Sequence, residues 1–342
     1  MFKNSVKLLF FFTLISSTLI TVSSNSWMGA WMGLEINLLS FIPLMIDTNN
    51  LMSTEGALKY FLTQALASSM LMFSIIMFMF LSNIPQIIYN FSNYSFLMIN
   101  LTLLLKSGAP PFHFWFPSVM EGLDWSNNLI LMTWQKIAPL MLISYCLIMN
   151  FMIMITMISI VVGAIGGLNQ TSLRKIMAFS SITHLSWMVA AMIFSENLWE
   201  MYFLIYTFLS FVMVYLFDTF KLFHINQIFS MFSSNPIIKF SLFFSLLSLG
   251  GLPPLLGFFP KWLVIQSMTT MNLLFMVFFM VCLTLVTLYY YIRIYYSSFM
   301  LNYWENKWNM NKQIKNFKMK MSLFLSFISS LGLCLTNLIY FI

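Results

Sequence analysis

Residues 108–117 read Gly-Ala-Pro-Pro-Phe-His-Phe-Trp-Phe-Pro, and residues 251–260 read Gly-Leu-Pro-Pro-Leu-Leu-Gly-Phe-Phe-Pro. The glycine, the proline pair, the Phe at the ninth position and the final Pro agree. Proline has no backbone N–H and its ring clashes with the preceding turn, so Pro-Pro after Gly interrupts a helix. Both stretches lie inside long apolar segments. We therefore predict two broken helices; two unrelated proline kinks are the alternative.

The two stretches also predict an internal symmetry. They lie in the fourth and ninth of the apolar spans given below, five positions apart, so the segments that contain them run in opposite directions across a bilayer. Inverted repeats with discontinuous helices are typical of transporters, and broken backbone at membrane depth is tolerated where it lines a polar cavity. We expect one antiporter-like domain over 1–342, with inverted repeats at roughly 1–148 and 151–296 and a C-terminal helix at 322–342.

Composition assigns the chain to the membrane. It is 60% hydrophobic and only 7% charged over 342 residues, with a mean hydropathy of +0.88, which soluble domains do not reach. A transmembrane helix needs about 20 apolar residues. We predict an all-α polytopic membrane protein with about eleven transmembrane helices. Their expected positions are 6–23, 27–46, 57–80, 95–117, 126–148, 151–168, 175–194, 199–220, 239–267, 272–296 and 322–342. The first run lacks an Ala-x-Ala-like cleavage site and is predicted to be retained.

The basic residues predict the orientation. If the spans alternate across the bilayer, all but three of the 16 Lys and Arg residues fall on the side of the N-terminus. The positive-inside rule assigns that side to the cytoplasm or matrix, and the C-terminus to the other. The residues on this side are Lys3, Lys7, Lys59, Arg174, Lys175, Lys221, Lys239, Arg293, Lys307, Lys312, Lys315, Lys318 and Lys320.

Four charged residues interrupt the apolar spans: Glu35, Lys106, Lys136 and Lys261. A charge at the bilayer centre costs roughly 2.5–3.5 kcal/mol on insertion scales, and such residues usually serve ion or proton transfer. Lys106 precedes the first helix break and Lys261 follows the second. The alternative for Lys136 is that its side chain snorkels to the membrane interface. The alternative for Glu35 is a buried ion pair with a purely structural role. His184 extends the polar set, with a structural histidine as its alternative.

Several classes of function are excluded by missing motifs. The three cysteines are isolated, without Cys-x-x-Cys, so we expect neither an iron–sulfur cluster nor a zinc site in this chain. Gly-x-Gly-x-x-Gly and the Walker A loop are absent, so no nucleotide site is predicted. The basic residues are spread along loops, which argues against nucleic acid. We expect the run Lys307–Lys320 to contact acidic phospholipid, such as cardiolipin, or a partner subunit.

Five stretches resemble one family. They include Trp-Met-Gly-Leu-Glu-Ile-Asn, Lys-Tyr-Phe-Leu-Thr-Gln-Ala and Thr-Trp-Gln-Lys-Ile-Ala-Pro, and together they are similar to subunit 2 of animal mitochondrial NADH dehydrogenase, insect members most of all. The last stretch resembles a signature of antiporter-like subunits in general. The stretches are 25–43, 59–65, 105–117, 133–139 and 163–184.

The resemblance implies a proton-translocating membrane subunit of respiratory complex I in the mitochondrial inner membrane, with its N-terminus in the matrix and its C-terminus in the intermembrane space. It implies a Glu35–Lys106 pair, a central Lys136 and Lys261 in the second broken helix. The complex, a translocating NADH:ubiquinone reductase, would use NADH, FMN, iron–sulfur clusters and ubiquinone through other subunits. The partners would be other membrane-arm subunits, including neighbouring antiporter-like ones.

Two other classes of protein would account for the same residues. A stand-alone cation/proton antiporter would use similar lysines and broken helices. A structural scaffold subunit would use the charges only to fix helix packing.

Overall fold

A computed structural model of the chain describes residues 5–47, 50–82, 88–231, 236–300 and 316–340. These residues form α-helices and turns, and the only β-type pairing among them is one isolated bridge between Ser172 and His224. The predicted all-α membrane fold is therefore confirmed. The chain divides into two compact units, Met1–Ser159 and Ile160–Ile342.

The first unit contains seven complete helices among its described residues. Their bounds are α1 Ser5–Ser23, α2 Trp27–Met45, α3 Leu51–Ser82, α4 Ile88–Ser107, α5 Trp115–Gly122, α6 Trp125–Met132 and α7 Trp134–Ser144. The next helix, α8 at Met149–Leu168, crosses the boundary between the units.

Seven more helices are described in the second unit. They are α9 Leu173–Met192, α10 Glu196–Phe220, α11 Ile225–Met231, α12 Pro236–Gly250, α13 Phe258–Thr270, α14 Leu274–Met300 and α15 Asn316–Tyr340. The short helix α11 lies between predicted spans and was not expected from the hydropathy pattern.

Small residues bring α1 and α2 close together. A Cβ placed on Gly33 would lie 2.5 Å from Cγ2 of Thr21 and 3.1 Å from the carbonyl oxygen of Ser17. Small residues at helix contacts allow this approach where the hydrophobic effect does not drive association. The start of α2 is capped by Ser26, whose Oγ accepts a hydrogen bond from the amide of Gly29 at 3.2 Å.

The two helix breaks have the same backbone. Gly108 and Gly251 both adopt positive φ, 76° and 79°, a region in which residues with a Cβ are strained. In each break the amide after the glycine donates to the carbonyl five residues earlier: Ala109 to Leu104 at 3.0 Å, and Leu252 to Leu247 at 3.4 Å. The prediction of two broken helices, in the spans 95–117 and 239–267, is confirmed. The inverted relation of the repeats stays a prediction.

A third interruption was missed. The span predicted over 126–148 is divided at Thr133, where α6 ends and α7 begins. Pro139, inside α7, has no N–H and leaves the carbonyl of Gln135 without its usual helical donor. This proline follows the interruption and does not mark its position, so the interruption at Thr133 was not predicted.

Six helices among the described residues are long and apolar enough to cross a membrane. The predicted number of about eleven stays a prediction. Interruptions divide three of the expected spans into shorter helices, and the described parts of α9 and α15 are not among the six. Most of the basic run Lys307–Lys320 lies outside the described residues. Lys318 and Lys320 at its end are exposed.

Candidate functional site

Lys106 occupies the last turn of α4, directly before the first break, and is 7% exposed. The carbonyl oxygens at this helix end are satisfied by side chains. Nε2 of Gln64 donates to the carbonyl of Lys106 at 3.3 Å, and Nε1 of Trp115 donates to that of Leu105 at 3.2 Å. The partial negative charge of a helix C-terminus also favours a cation there. The break therefore holds a lysine at a polarised, buried helix end.

Lys136 is more deeply buried, with 1% of its surface exposed. It lies in the first turn of α7, immediately after the interruption at Thr133. Its Nζ is 5.1 Å from the centroid of the Phe116 ring, a cation–π geometry. The deep burial argues against the alternative in which Lys136 snorkels to an interface.

One cavity joins these two lysines. It offers about 20 Å³ to the centres of water-sized molecules, and about 10–15 Å³ suffices for one water. Residues of α2, α3, α4, α5, α6 and α7 contribute to its wall. The polar lining residues are Asn37, Tyr60, Gln64, Lys106, Ser107, Gln135 and Lys136.

A side-chain pair spans one part of the cavity wall. Nε2 of Gln135 donates to Oδ1 of Asn37 at 3.1 Å. The two amides leave further donor and acceptor positions for a molecule in the cavity. The site thus combines two amines with neutral groups that can donate hydrogen bonds to water and accept them from it.

Glu35 lies on α2, beside the cavity residue Leu34, and is partly exposed. Its carboxylate interacts electrostatically with Lys106. Among the residues that the structure describes, no ion pair shorter than 4.0 Å joins the two. The carboxylate of Glu35 and the amine of Lys106 are therefore more than 4.0 Å apart.

The second unit contains the other lysine. Lys261 follows the second break in α13 and is 7% exposed. Its Nζ donates to the carbonyl oxygen of Gly250 at 2.7 Å. Gly250 ends α12, so this amine directly satisfies a helix C-terminus, a task that Gln64 performs at the first break.

His184 is buried in α9 of the same unit. Its Nδ1 lies 2.9 Å from the hydroxyl oxygen of Tyr202, and its ring centroid is 4.9 Å from that of Tyr206. The histidine is thus hydrogen-bonded within the core. This geometry suits either of the two interpretations of the residue, structural or proton-transferring.

The described residues offer no clear place for a metal ion. Within the described ranges, no three His, Cys, Asp or Glu side chains come close enough together to hold one.

Two family models together match almost the whole chain. Residues 24–287 match the transmembrane region described as NADH:quinone oxidoreductase/Mrp antiporter, and residues 288–340 match the C-terminal region of NADH dehydrogenase subunit 2. NADH-ubiquinone oxidoreductase chain 2 of Anopheles gambiae is 60% identical over 335 residues, 98% of both chains. The protein of the same name from Locusta migratoria is 47% identical over 98% of both chains.

The chain belongs to the NADH-ubiquinone oxidoreductase chain 2 family. The resemblance to this family and to insect members is confirmed. Members of the family are subunits of complex I, which agrees with the predicted enzyme class.

Solved structures confirm the antiporter-like fold. A chain of respiratory complex I from Thermus thermophilus superposes with a TM-score of 0.82 at 20% identity, over 96% of this chain and 79% of that one. A chain of the Mrp complex from Dietzia sp. also gives a TM-score of 0.82, at 12% identity, over 96% of this chain and 74% of that one. At these identities the likeness concerns the fold alone.

In this member of the chain 2 family, the uncharged polar residues of the cavity wall were not predicted from the sequence. Asn37, Gln64 and Gln135 were not proposed, although each is an amide inside an apolar span. Amides in a membrane helix are costly, although less so than charges, and they commonly hydrogen-bond between helices, so a weaker signal was present. Tyr202 carried no comparable signal, because tyrosine is common in such helices.

Proposed function

We propose that this chain is the proton-translocating subunit that its family indicates, and that Glu35, Lys106 and Lys136 form its loading site. The observation that carries the proposal is the cavity shared by the two lysines, with room for water and with amide groups in its wall. A buried polar cavity between two amines fits proton transfer better than it fits helix packing alone.

The physical basis is the response of an amine to its surroundings. Removal of water destabilises the charged form, and a nearby carboxylate stabilises it. Two charged amines in one small cavity repel each other strongly, because the local dielectric constant is low. A proton that arrives at one lysine therefore favours release from the other, and water in the cavity provides the connection.

Glu35 sets the balance of this pair. A movement of its carboxylate toward Lys106 would hold a proton there, and a movement away would favour transfer to Lys136. We extend the path to Lys261 and His184 in the second unit. Lys261 would have to release the carbonyl of Gly250 to exchange its proton.

The chain supplies proton transfer and no redox chemistry of its own. NADH oxidation, through FMN and iron–sulfur clusters, and ubiquinone reduction would take place in other subunits of complex I and would drive the lysines between their states. The partners are other membrane-arm subunits, with acidic phospholipid such as cardiolipin at the basic loop. The N-terminus faces the matrix and the C-terminus the intermembrane space.

The decisive experiment replaces the central amine. Complex I that carries Lys136→Met in this chain should assemble and oxidise NADH but translocate fewer protons per electron in inner-membrane vesicles. Lys59→Met is the matched control, since Lys59 is exposed and pairs with Glu55 on the surface of α3. A normal proton-to-electron ratio in the assembled Lys136→Met complex would contradict the proposal.

A further inference from the structure

Polar contacts connect α2 with α6 and α7 from the surface to the cavity. Residue numbers fall along α2 as they rise along α6 and α7, so the helices meet in an antiparallel register. We call this set the polar seam. It consists of the carboxyl pair Asp47–Asp124, the amide of Asn127 on the carbonyl of Leu44, and the pair Asn37–Gln135.

The surface end of the seam is charged. Nζ of Lys7 lies 2.6 Å from Oδ1 of Asp47, and both side chains are partly exposed. The carboxyl group of Asp124 lies within hydrogen-bonding reach of Asp47. The hydrogen bond from Lys7 holds the pKa of the Asp47 carboxyl below its usual range. This end therefore presents carboxylates to water at the side that carries the basic residues.

The middle of the seam contains an unused acceptor. Asn127 is 4% exposed, and its Nδ2 donates to the carbonyl of Leu44 at 3.0 Å, so its amide faces α2. Its Oδ1 has no hydrogen-bond partner in the described protein. Buried polar atoms are seldom left unpaired, and an ordered water is their usual partner when no protein group serves. Asn127 thus marks a position for water midway between surface and cavity.

An apolar residue, Leu131, lies between Asn127 and the cavity. Leu131 lies one turn beyond Asn127 on the same face of α6, and it lines the cavity together with Gln135, which lies in α7 beyond the interruption at Thr133. On α2, Ser40 donates to the carbonyl of Asn37 at 2.9 Å. Leu131 is therefore the apolar residue that lies between Asn127 and Gln135 along this face.

We propose that the polar seam is the route by which protons reach the cavity from the surface at the end of α2. The inference rests on the proposed function of the lysine site. The Asp47–Asp124 carboxylates take up one proton from bulk water, pass it to the seam and return to the ionised state. Water bound to Oδ1 of Asn127 passes that proton along a hydrogen-bonded chain, and the neutral amine of Lys136 or Lys106 takes it up. Asn127 positions this water and is not itself protonated.

The test uses assembled complex I in inner-membrane vesicles. Asn127→Leu removes the acceptor while keeping the side chain's approximate volume. We expect proton translocation to become about fivefold slower, the factor expected for a step that loses one hydrogen bond. Asn127→Asp should restore more than half of the rate, because its protonated form can make both hydrogen bonds. A purely structural role would not predict this rescue.

Asn100→Leu is the matched control. Asn100 is equally buried, but its amide donates to the carbonyl of Cys146 and its Oδ1 accepts from the Cys146 thiol. Its loss should weaken the fold and leave the rate of proton translocation per assembled complex unchanged. Equal slowing in the Asn100 and Asn127 variants would overturn the proposal.

A second variant tests the proposal if complex I that carries Asn127→Leu does not assemble. The double change Asp47→Asn and Asp124→Asn alters only the surface end of the seam, and it should slow proton uptake several-fold. A normal rate in assembled Asn127→Leu, or in the double variant if the former does not assemble, overturns the seam. If the seam is overturned in this way but Lys136→Met does not translocate protons in the same assay, the proposed function of the lysine site still stands. Normal translocation by Lys136→Met as well would reject both.

Discussion

The amine of Lys261 donates a hydrogen bond to the carbonyl oxygen of Gly250, 2.7 Å away. The two residues lie on opposite sides of the second helix break, so the lysine bridges the interruption that it follows. At the first break, the amide of Gln64 satisfies the carbonyl of Lys106 instead. Similar breaks thus place a lysine in two different hydrogen-bonding situations, one bound to the helix end and one lining a cavity.

This bridge allows the structural and proton-transferring roles of Lys261 to be separated. Lys261→Gln keeps a donor for the carbonyl of Gly250 but cannot carry a proton, whereas Lys261→Met removes both functions. We expect both variants to lower the proton-to-electron ratio of assembled complex I. Only the Met variant should also lose thermal stability, by about 1–3 kcal/mol for a buried unsatisfied carbonyl. Normal pumping by Lys261→Gln would assign the residue a structural role.

The positive φ angles of Gly108 and Gly251 predict that substitution of either glycine lowers the stability of the protein. Gly108→Ala and Gly251→Ala place a Cβ at positive φ, which costs about 1–2 kcal/mol. The new Cβ would lie 3.1 Å from the Phe116 ring in the first case and 2.9 Å from Nζ of Lys261 in the second. Both variants should lower the thermal inactivation midpoint of the complex.

Gly250→Ala is the matched control for these substitutions. Gly250 is helical, and a Cβ there would meet its nearest neighbours at 3.6 Å, an ordinary contact distance. We expect its inactivation midpoint to be at or slightly above that of the unaltered complex. A loss as large as that of Gly251→Ala would show that the positive φ is not the cause.

The relation between Glu35 and Lys106 predicts the result of a charge exchange. The double variant Glu35→Lys and Lys106→Glu keeps the net charge and an attraction of the same kind across the gap. A scaffold would regain its function in this variant. A proton path would not, because the amine would leave the cavity wall and a carboxyl group would take its place. We expect normal assembly with defective pumping, and recovery of the proton-to-electron ratio would support the scaffold.

Much of the architecture could be predicted because its causes are local. The Gly-x-Pro-Pro motif removes backbone N–H donors at any position in a helix, so both breaks could be predicted from the sequence. Intramembrane lysines are anomalous in any helix, so Lys106, Lys136 and Lys261 could be selected one by one. The interruption at Thr133 has no comparable local motif, and α11 lies in a segment too polar for a hydropathy pattern to reveal.

The composition of the cavity depended on which helix faces meet. Gln135 and Asn37 are 98 residues apart in sequence, and Asn127 and the carbonyl of Leu44 are 83 apart. No local pattern encodes such pairs. The sequence by itself therefore determined the membrane class, the two breaks and the charged residues. Only the tertiary structure decided that two lysines share a cavity while the third binds a helix end, because helix packing brings together groups that are distant along the chain.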